Sequence, residues 1–264
     1  GIEYMLTDDI ANGVKLITEK LLHLLSSRHL LKFWKQVLKL STYYARIPKV
    51  VRSDCLVVQP THLMHGAEYD EMTEAVNSYA DKFESVAIAE PLLGEVGSDA
   101  TVINADKKAV AEAVVAAAVE SSDYDSLQAA ADDGTAFVLM GHGTSHTAKV
   151  SYSQMQTQMN ELGYSNVFIG TVEGEPEETS CEAVIEAVKA AGYTKVILRP
   201  LMVVAGDHAN NDMAGSEDDS WLSMFNASDA FESVDCQIAG LGEIEDVQKL
   251  YVAHTKAAID SLNG

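Results

Sequence analysis

The stretch Lys195–Phe225 reads KVILRPLMVVAGDHANNDMAGSEDDSWLSMF. It opens with an apolar, β-branched run, Val196–Ala205, which only an arginine and a proline interrupt. A run of this length and composition predicts a strand that is buried on both faces of a parallel sheet. Polar residues follow Gly206, and His208 lies among them. Because open α/β sheets bind ligands beyond the carboxyl ends of their strands, we expect His208 at the mouth of a crevice.

A second stretch, AFVLMGHGTSHT at residues 136–147, has the same organisation. It predicts a buried strand followed by a glycine-rich segment that carries His142 and His146. Their spacing of four would also suit one face of a helix, but the flanking glycines favour a sharp turn. Two strand ends that each deliver a histidine predict a pair of imidazole ligands for a divalent transition metal.

The charge of the chain excludes one class of partner. The 264 residues include 18 Lys and Arg against 40 Asp and Glu, a formal net charge of −22. Nucleic-acid phosphates require a basic patch, so we expect no nucleic-acid partner. Residues 1–55 have a net charge of +4 and an amphipathic helical pattern at 10–41, and thus differ in kind from the rest.

Cysteine spacing and hydropathy predict the compartment. Cys55, Cys181 and Cys236 are odd in number and far apart, which does not suit a disulfide framework or a CxxC metal site. No apolar run has the length of a membrane span, and the first residues lack the pattern of a signal peptide. We therefore expect a cytoplasmic chain without a membrane partner. Whether it forms a homo-oligomer is left open.

Strands and helices alternate along residues 56–264, which predicts α/β architecture with parallel sheets and right-handed crossovers. We expect two doubly wound, Rossmann-like domains with a cleft between them. The predicted parts are an N-terminal lobe at 1–128, with residues 1–55 atypical and helical, a metal-binding C-terminal lobe at 129–244, and a final helix at 245–264 that can pack back on the first lobe. Strands are predicted at 55–60, 86–93, 136–140, 167–172, 195–204 and 237–241, and helices at 69–83, 105–121, 152–162, 180–191 and 246–262.

The two halves also resemble each other. The segments VVQPTHLMHGAE at 57–68 and ILRPLMVVAGDH at 197–208 align without a gap, with a proline and a glycine six residues apart in both. This alignment favours a duplicated domain. It places Glu68 opposite His208, so both side chains are expected near one cleft.

With these motifs assembled, the chain resembles the anaerobic cobalt chelatases that insert metal into sirohydrochlorin, a CbiK-like family of class II chelatases. The most specific matching motif is RPLMVVAGDHANNDMAG at 199–215. The others are MGHGTSH at 140–146, VEGEPE at 172–177, DSW at 219–221, GLGE at 240–243, QPTHLMHGAEYDEM at 59–72 and PLLG at 91–94. The resemblance covers about residues 56–264, and the buried strand and Gly-Thr-Ser loop with which the family begins are not found in residues 1–55.

This resemblance implies a tetrapyrrole substrate, Co²⁺ as the substrate metal and no organic cofactor. It implies that His146, Glu173 and His208 hold the metal, and that His146 and Glu173 serve catalysis, the histidine by accepting pyrrole protons. Substrate-binding roles around the cleft are assigned to His62, Glu68, His142, Arg199 and Asp207.

Each assignment has a plainer alternative. His146 could cap a helix, His142 could brace its turn, and Glu173 could be a solvated carboxylate. Nothing in a ligand set of imidazole and carboxylate separates Co²⁺ from Fe²⁺ or Ni²⁺. Insertion of those metals into a related tetrapyrrole therefore remains an alternative, as does a protein that binds metal or tetrapyrrole without catalysis.

Overall fold

A computed structural model describes residues 55–262 of the chain. The helical segment predicted at 10–41 lies outside the described residues. Within them, two parallel sheets of two and four strands are flanked by helices, which confirms the predicted α/β class. None of the helices in this range is long and apolar enough to cross a membrane.

The regular elements follow in chain order. The strands are β1 (Cys55–Val58), β2 (Ser85–Ile88), β3 (Thr135–Gly141), β4 (Val167–Thr171), β5 (Lys195–Pro200) and β6 (Ser233–Cys236). The α-helices are α1 (Ala67–Asn77), α2 (Ala105–Glu120), α3 (Leu127–Asp132), α4 (Val150–Glu161), α5 (Cys181–Ala190), α6 (Trp221–Ala227) and α7 (Glu245–Ser261). A π-helix spans His208–Met213, and short 3₁₀ turns span Ala80–Lys82, Thr147–Lys149, Glu177–Thr179 and Leu241–Glu243.

The strand predicted at 237–241 is wrong. The last strand is β6, and the segment after it lies beside the loop that follows β5, where Leu241 N–H donates to the carbonyl of Met202 at 2.8 Å. This segment lies so close to the loop after β5 that Gly240 has no room for a side chain. A Cβ there would lie 2.6 Å from the carbonyl oxygen of Val203. The edge strand β6 has few apolar residues and alternates between exposed and half-buried positions, so its sequence signal is weak.

The order of the four-stranded sheet explains where a crevice opens. Its strands lie in the order β4-β3-β5-β6, all parallel, and Met140 of β3 pairs with Pro200 of β5. The chain leaves β3 toward α4 on one face of the sheet and leaves β5 toward α6 on the other. Neighbouring strands whose connections diverge in this way form a topological switch point, where a crevice opens beyond the strand ends.

Two hydrophobic cores cover the faces of this sheet. One packs α5 and α6 against it, with Phe225 fully buried. The other packs α2, α4 and α7, and it also takes in Leu92 and Leu93 from the segment after β2. Helix α2 thus shares this core with the four-stranded sheet, and the domain boundary near residue 128 stays a prediction.

Helix α7 contacts the first half of the chain. The Tyr251 hydroxyl donates to the carbonyls of Thr61 at 3.2 Å and His62 at 3.4 Å, and the Thr255 hydroxyl donates to Gln59 Oε1 at 2.7 Å. His254 lies between the carbonyl of Glu90 and the carboxylate of Asp106. These bonds hold the loop after β1 against the C-terminal helix.

Candidate active site

His142 leaves the end of β3 in a turn that only glycines permit. A Cβ at Gly141 would lie 2.3 Å from Cε1 of the Tyr152 ring, and Gly143 has a φ of +91°. The Gly143 N–H donates to the buried Tyr152 hydroxyl at 3.1 Å, so the ring of α4 supports the turn from below. The loop is therefore packed into one conformation and presents His142 beyond the sheet.

The hydrogen bond of His142 defines its tautomer. Its Nδ1 lies 2.9 Å from the carbonyl oxygen of Gly143. A carbonyl can only accept, so Nδ1 carries the proton and Nε2 keeps its lone pair. This is the state in which a neutral imidazole binds a metal ion.

His208 is oriented by a carboxylate in the π-helix that follows β5. Its Nδ1 lies 2.5 Å from Oδ2 of Asp212, four residues further along the chain. An imidazole whose Nδ1 is held by a carboxylate presents Nε2 to a ligand, the arrangement that orients histidine ligands at metal sites. The His208 ring lies beside the His142 ring, with centroids 4.5 Å apart and planes at 85°.

His146 is bonded differently. It caps the 3₁₀ turn Thr147–Lys149, and its Nδ1 accepts the N–H of Ala148 at 3.2 Å. Since Nδ1 uses its lone pair in that bond, the neutral ring carries its proton on Nε2, which lies 3.4 Å from Oδ2 of Asp70 on α1. In this arrangement His146 joins its loop to helix α1 and has no free lone pair for a metal.

Two carboxylates face the same space. Glu173 follows β4, and its N–H donates to the carbonyl of His142 at 2.9 Å. Glu68 lies in the first turn of α1 and lines the space as well. Glu175 also lines the space, but its carboxylate is bonded to Nζ of Lys149 at 2.7 Å.

These side chains line an open cavity of about 720 Å³. Apolar loop residues lie on both sides of it, Leu63 and Met64 after β1 and Leu201 to Val203 after β5. His62, Glu68, His142 and Glu173 supply its polar groups. A cavity with apolar walls and a few convergent polar groups suits a large, flat organic ligand.

The sequence comparison decides the family. The family described as cobalt chelatase (CbiK) matches residues 19–260. This chain belongs to the cobalt chelatase family. The curated relatives of this chelatase include sirohydrochlorin cobaltochelatase of Salmonella typhimurium, 29% identical over 205 residues, which are 78% of this chain and 69% of the relative.

Two further similarities extend the comparison. Sirohydrochlorin cobaltochelatase CbiKC of Nitratidesulfovibrio vulgaris is 29% identical over 212 residues, or 79% of this chain and 66% of that protein. The solved structure of SirB from Bacillus subtilis with Fe³⁺ aligns with a TM-score of 0.52 at 16% identity, covering 80% of this chain and 74% of that one. At this identity the structural likeness shows a shared fold alone.

The metal ligands expected from the motifs are only partly brought together in this chelatase. Among residues 55–262, no three His, Cys, Asp or Glu side chains are grouped closely enough to hold an ion. The imidazole beside His208 is that of His142, and neither His146 nor His208 is among the residues that line the cavity. The set of His146, Glu173 and His208 stays a prediction, while the geometry favours His142 as the partner of His208.

Two predicted substrate-binding residues lie elsewhere. The Arg199 side chain is buried, and its Nη1 donates to Gln237 Oε1 at 2.8 Å and more weakly to the carbonyl of Ala117 at 3.5 Å. It therefore supports the last turn of α2, whose carbonyls carry the negative end of the helix dipole. Asp207 precedes the π-helix and accepts a bond from the Asn211 amide at 2.8 Å.

Two supporting residues were missed in the sequence. Asp212 stands four residues after His208, a spacing that places both on one helical face and could have signalled the pair. No sequence spacing identifies Tyr152 in the same way. Its role depends on how α4 packs beneath the loop that carries His142 and Gly143.

Proposed function

We propose that this chelatase inserts Co²⁺ into sirohydrochlorin. The observation that carries the proposal is the pair of imidazoles at the switch point, His142 and His208, each with Nδ1 held by an acceptor and Nε2 left for a ligand. The family match and the names of the two curated relatives support the choice of metal and ring.

In this proposal the two imidazoles receive the metal substrate. Neutral imidazole binds divalent cobalt, iron and nickel, and without a thiolate in the set the ion is not trapped. Glu173 is the candidate for a third ligand, since its backbone N–H donates to the carbonyl of His142. A rotation of its side chain toward the imidazoles would complete a three-ligand set that leaves coordination positions open for the ring nitrogens.

The cavity supplies the place for the tetrapyrrole. The apolar loops after β1 and β5 line it, so a flat ring can bury its faces against them within reach of His142, whose ring packs against that of His208. Burial of these ring faces contributes about 25 cal/mol for each Å² removed from water. As each ring nitrogen replaces a ligand of the ion, the pyrrole N–H groups lose their protons to bases in the cavity.

The experiment is a spectrophotometric insertion assay with three alanine variants. With purified chain, sirohydrochlorin and Co²⁺, the absorbance shift of the ring should proceed faster than without protein. His142→Ala and His208→Ala should each lower the catalysed rate at least about 100-fold, the usual scale for loss of a group acting on the reacting centre.

His146→Ala is the matched control, because it removes an imidazole from the same loop. It should retain most of the insertion rate and lose about 1 kcal/mol of stability with its helix cap. A large loss of insertion rate in His146→Ala together with a normal rate in His142→Ala would support the metal ligands predicted from the motifs, with His146 in place of His142. Binding of ring and Co²⁺ without any acceleration would favour a carrier over an enzyme.

A further inference from the structure

A second imidazole, besides that of His142, lines the cavity. His62 lies in the loop after β1 and lines the cavity together with Glu68, whereas His142 and His208 follow strands of the other sheet. Its backbone is fixed, since its carbonyl accepts bonds from the N–H of Leu92 at 3.0 Å and from the Tyr251 hydroxyl. The ring is thus held in place by contacts that do not involve its own nitrogens.

The ring nitrogens of His62 are free of protein partners within the described residues. Nδ1 is buried and makes no hydrogen bond, so Nε2 is the nitrogen that a ligand in the cavity can reach. This sets His62 apart from the other histidines near the cleft, each of which has at least one nitrogen engaged. Neither ring nitrogen is therefore committed to a protein hydrogen bond, so Nε2 can accept a proton from a ligand in the cavity.

Metal insertion needs a base that the ion itself does not occupy. When His142 and His208 hold the metal, their Nε2 lone pairs are no longer available for protons. Free imidazole titrates near neutral pH, which makes it a more effective proton acceptor there than a carboxylate. His62 is an imidazole that lines the cavity and stands outside the proposed ligand set.

We propose that His62 is a catalytic base that takes a pyrrole proton from the ring in the cavity. The inference rests on the proposed chelatase function. In the step, the pyrrole N–H bond breaks and its electron pair stays on nitrogen, where it binds the incoming divalent ion. The proton forms a new N–H bond at Nε2 of His62, next to the Glu68 carboxylate, and passes from there to water.

The electrostatics of the loop agree with this role. Burial lowers the pKa of the His62 imidazole, and the negative charge of Glu68 opposes that change. The free ring is therefore neutral and able to accept at neutral pH, while Glu68 stabilises the imidazolium once it forms. The ring of Tyr69, 6.1 Å away and edge-on, also packs near it.

The test compares His62→Ala with His65→Ala in the full 264-residue chain. His65 is a matched control because it is an imidazole on the same loop, but it pairs with Glu90 at 2.6 Å and does not line the cavity. We expect His62→Ala to lower kcat for Co²⁺ insertion about 100-fold, with the affinity for Co²⁺ and for metal-free sirohydrochlorin unchanged within about twofold. Added imidazole should restore part of the rate in this variant, and His65→Ala should stay near the wild-type rate.

The outcomes separate the two proposals. A wild-type chain that does not accelerate insertion refutes the chelatase function and, with it, the role of His62. An active wild type with a His62→Ala variant of equal kcat overturns the base assignment alone. A loss of kcat that imidazole does not restore, together with weaker binding of sirohydrochlorin, also overturns it and leaves His62 as a binding residue.

Discussion

His142 and His146 stand four residues apart in the loop after β3, yet their ring nitrogens have different partners. His142 donates from Nδ1 to a carbonyl, and His146 accepts at Nδ1 from a backbone N–H. Identical side chains therefore present opposite tautomers, and the one with Nε2 free lies beside His208. At the residue scale, the hydrogen-bond partner of each ring is what qualifies a histidine as a ligand.

Arg199 should prove structural when it is replaced by methionine. The apolar chain keeps most of the volume but leaves Gln237 Oε1 without its Arg199 donor, at a cost of about 1–3 kcal/mol. Urea unfolding should record this loss, while the affinity for sirohydrochlorin stays unchanged. As a control, Lys189→Met removes an exposed cation and should change stability by less than about 0.5 kcal/mol. Weaker ring binding at normal stability would support the substrate-binding role of Arg199.

His62 should also make the stability of the fold depend on pH. Because burial lowers the pKa of the folded imidazole below its ordinary value of 6.5, the unfolded chain takes up the proton first as the pH falls. The free energy of unfolding is then lost progressively from about pH 6.5 down through the folded pKa. In urea unfolding at pH 7.5 and pH 5, His62→Asn should show a smaller difference between the two pH values than the wild type. An equal or larger difference in the variant would contradict the effect of burial.

At the scale of elements, the turn after β3 and the helix α4 beneath it form one unit. Gly141 packs against the Tyr152 ring. Gly143 has a φ of +91°, a left-handed conformation that favours glycine. The position of His142 therefore depends on how α4 packs against β3. The same unit connects to β4 through the bond from Glu173 N–H to the His142 carbonyl.

Gly141→Ala should disturb both stability and insertion. The new Cβ would overlap the Tyr152 ring at 2.3 Å, and such overpacking costs about 1–3 kcal/mol. The loop must shift to relieve it, so the rate of Co²⁺ insertion should fall together with the midpoint of thermal unfolding. Gly163→Ala is a suitable control, since its φ of +76° adds backbone strain of about 1–2 kcal/mol but no atom lies within 4 Å. Insertion at the wild-type rate in Gly141→Ala would show that the turn does not position His142.

At the scale of the whole molecule, helix α7 joins the two ends of the described chain. It packs in the core of the four-stranded sheet, and its Tyr251 and Thr255 hydroxyls hold the loop after β1. That loop carries His62 into the cavity. The cleft is therefore shaped by a helix whose side chains do not line it.

Tyr251→Phe should loosen this connection. The variant leaves the carbonyl of Thr61 without its buried donor and removes one of the two donors to the carbonyl of His62, which should cost about 1–2 kcal/mol. Amide hydrogen exchange at residues 61–63 should become faster, whereas exchange in β3 should change little. Val252→Ala, at a neighbouring position that is 50% exposed, should alter neither measurement. Unchanged exchange at 61–63 in Tyr251→Phe would mean that other contacts hold the loop.

Local patterns were enough to predict most of the architecture. The alanine-rich segment at 105–121 is helix α2, the apolar run at 136–140 is β3, and the polar cluster after Gly206 lies beside the crevice, because periodicity and strand-end chemistry are properties of neighbouring residues. The family followed from contiguous motifs for the same reason. These features need no knowledge of which segments meet.

The choice among the histidines required the packed structure. His142, His146 and His62 have similar local sequence contexts, and they differ in partners that come from other segments: Asp70 from α1 for His146, the imidazole of His208 for His142, and an open cavity wall for His62. Likewise, Arg199 lies in the most specific motif but donates to a carbonyl of α2 that is 82 residues earlier in the chain. A sequence records which groups are present, whereas a tautomer, a buried nitrogen without a partner and a shared cavity arise only when distant segments pack together.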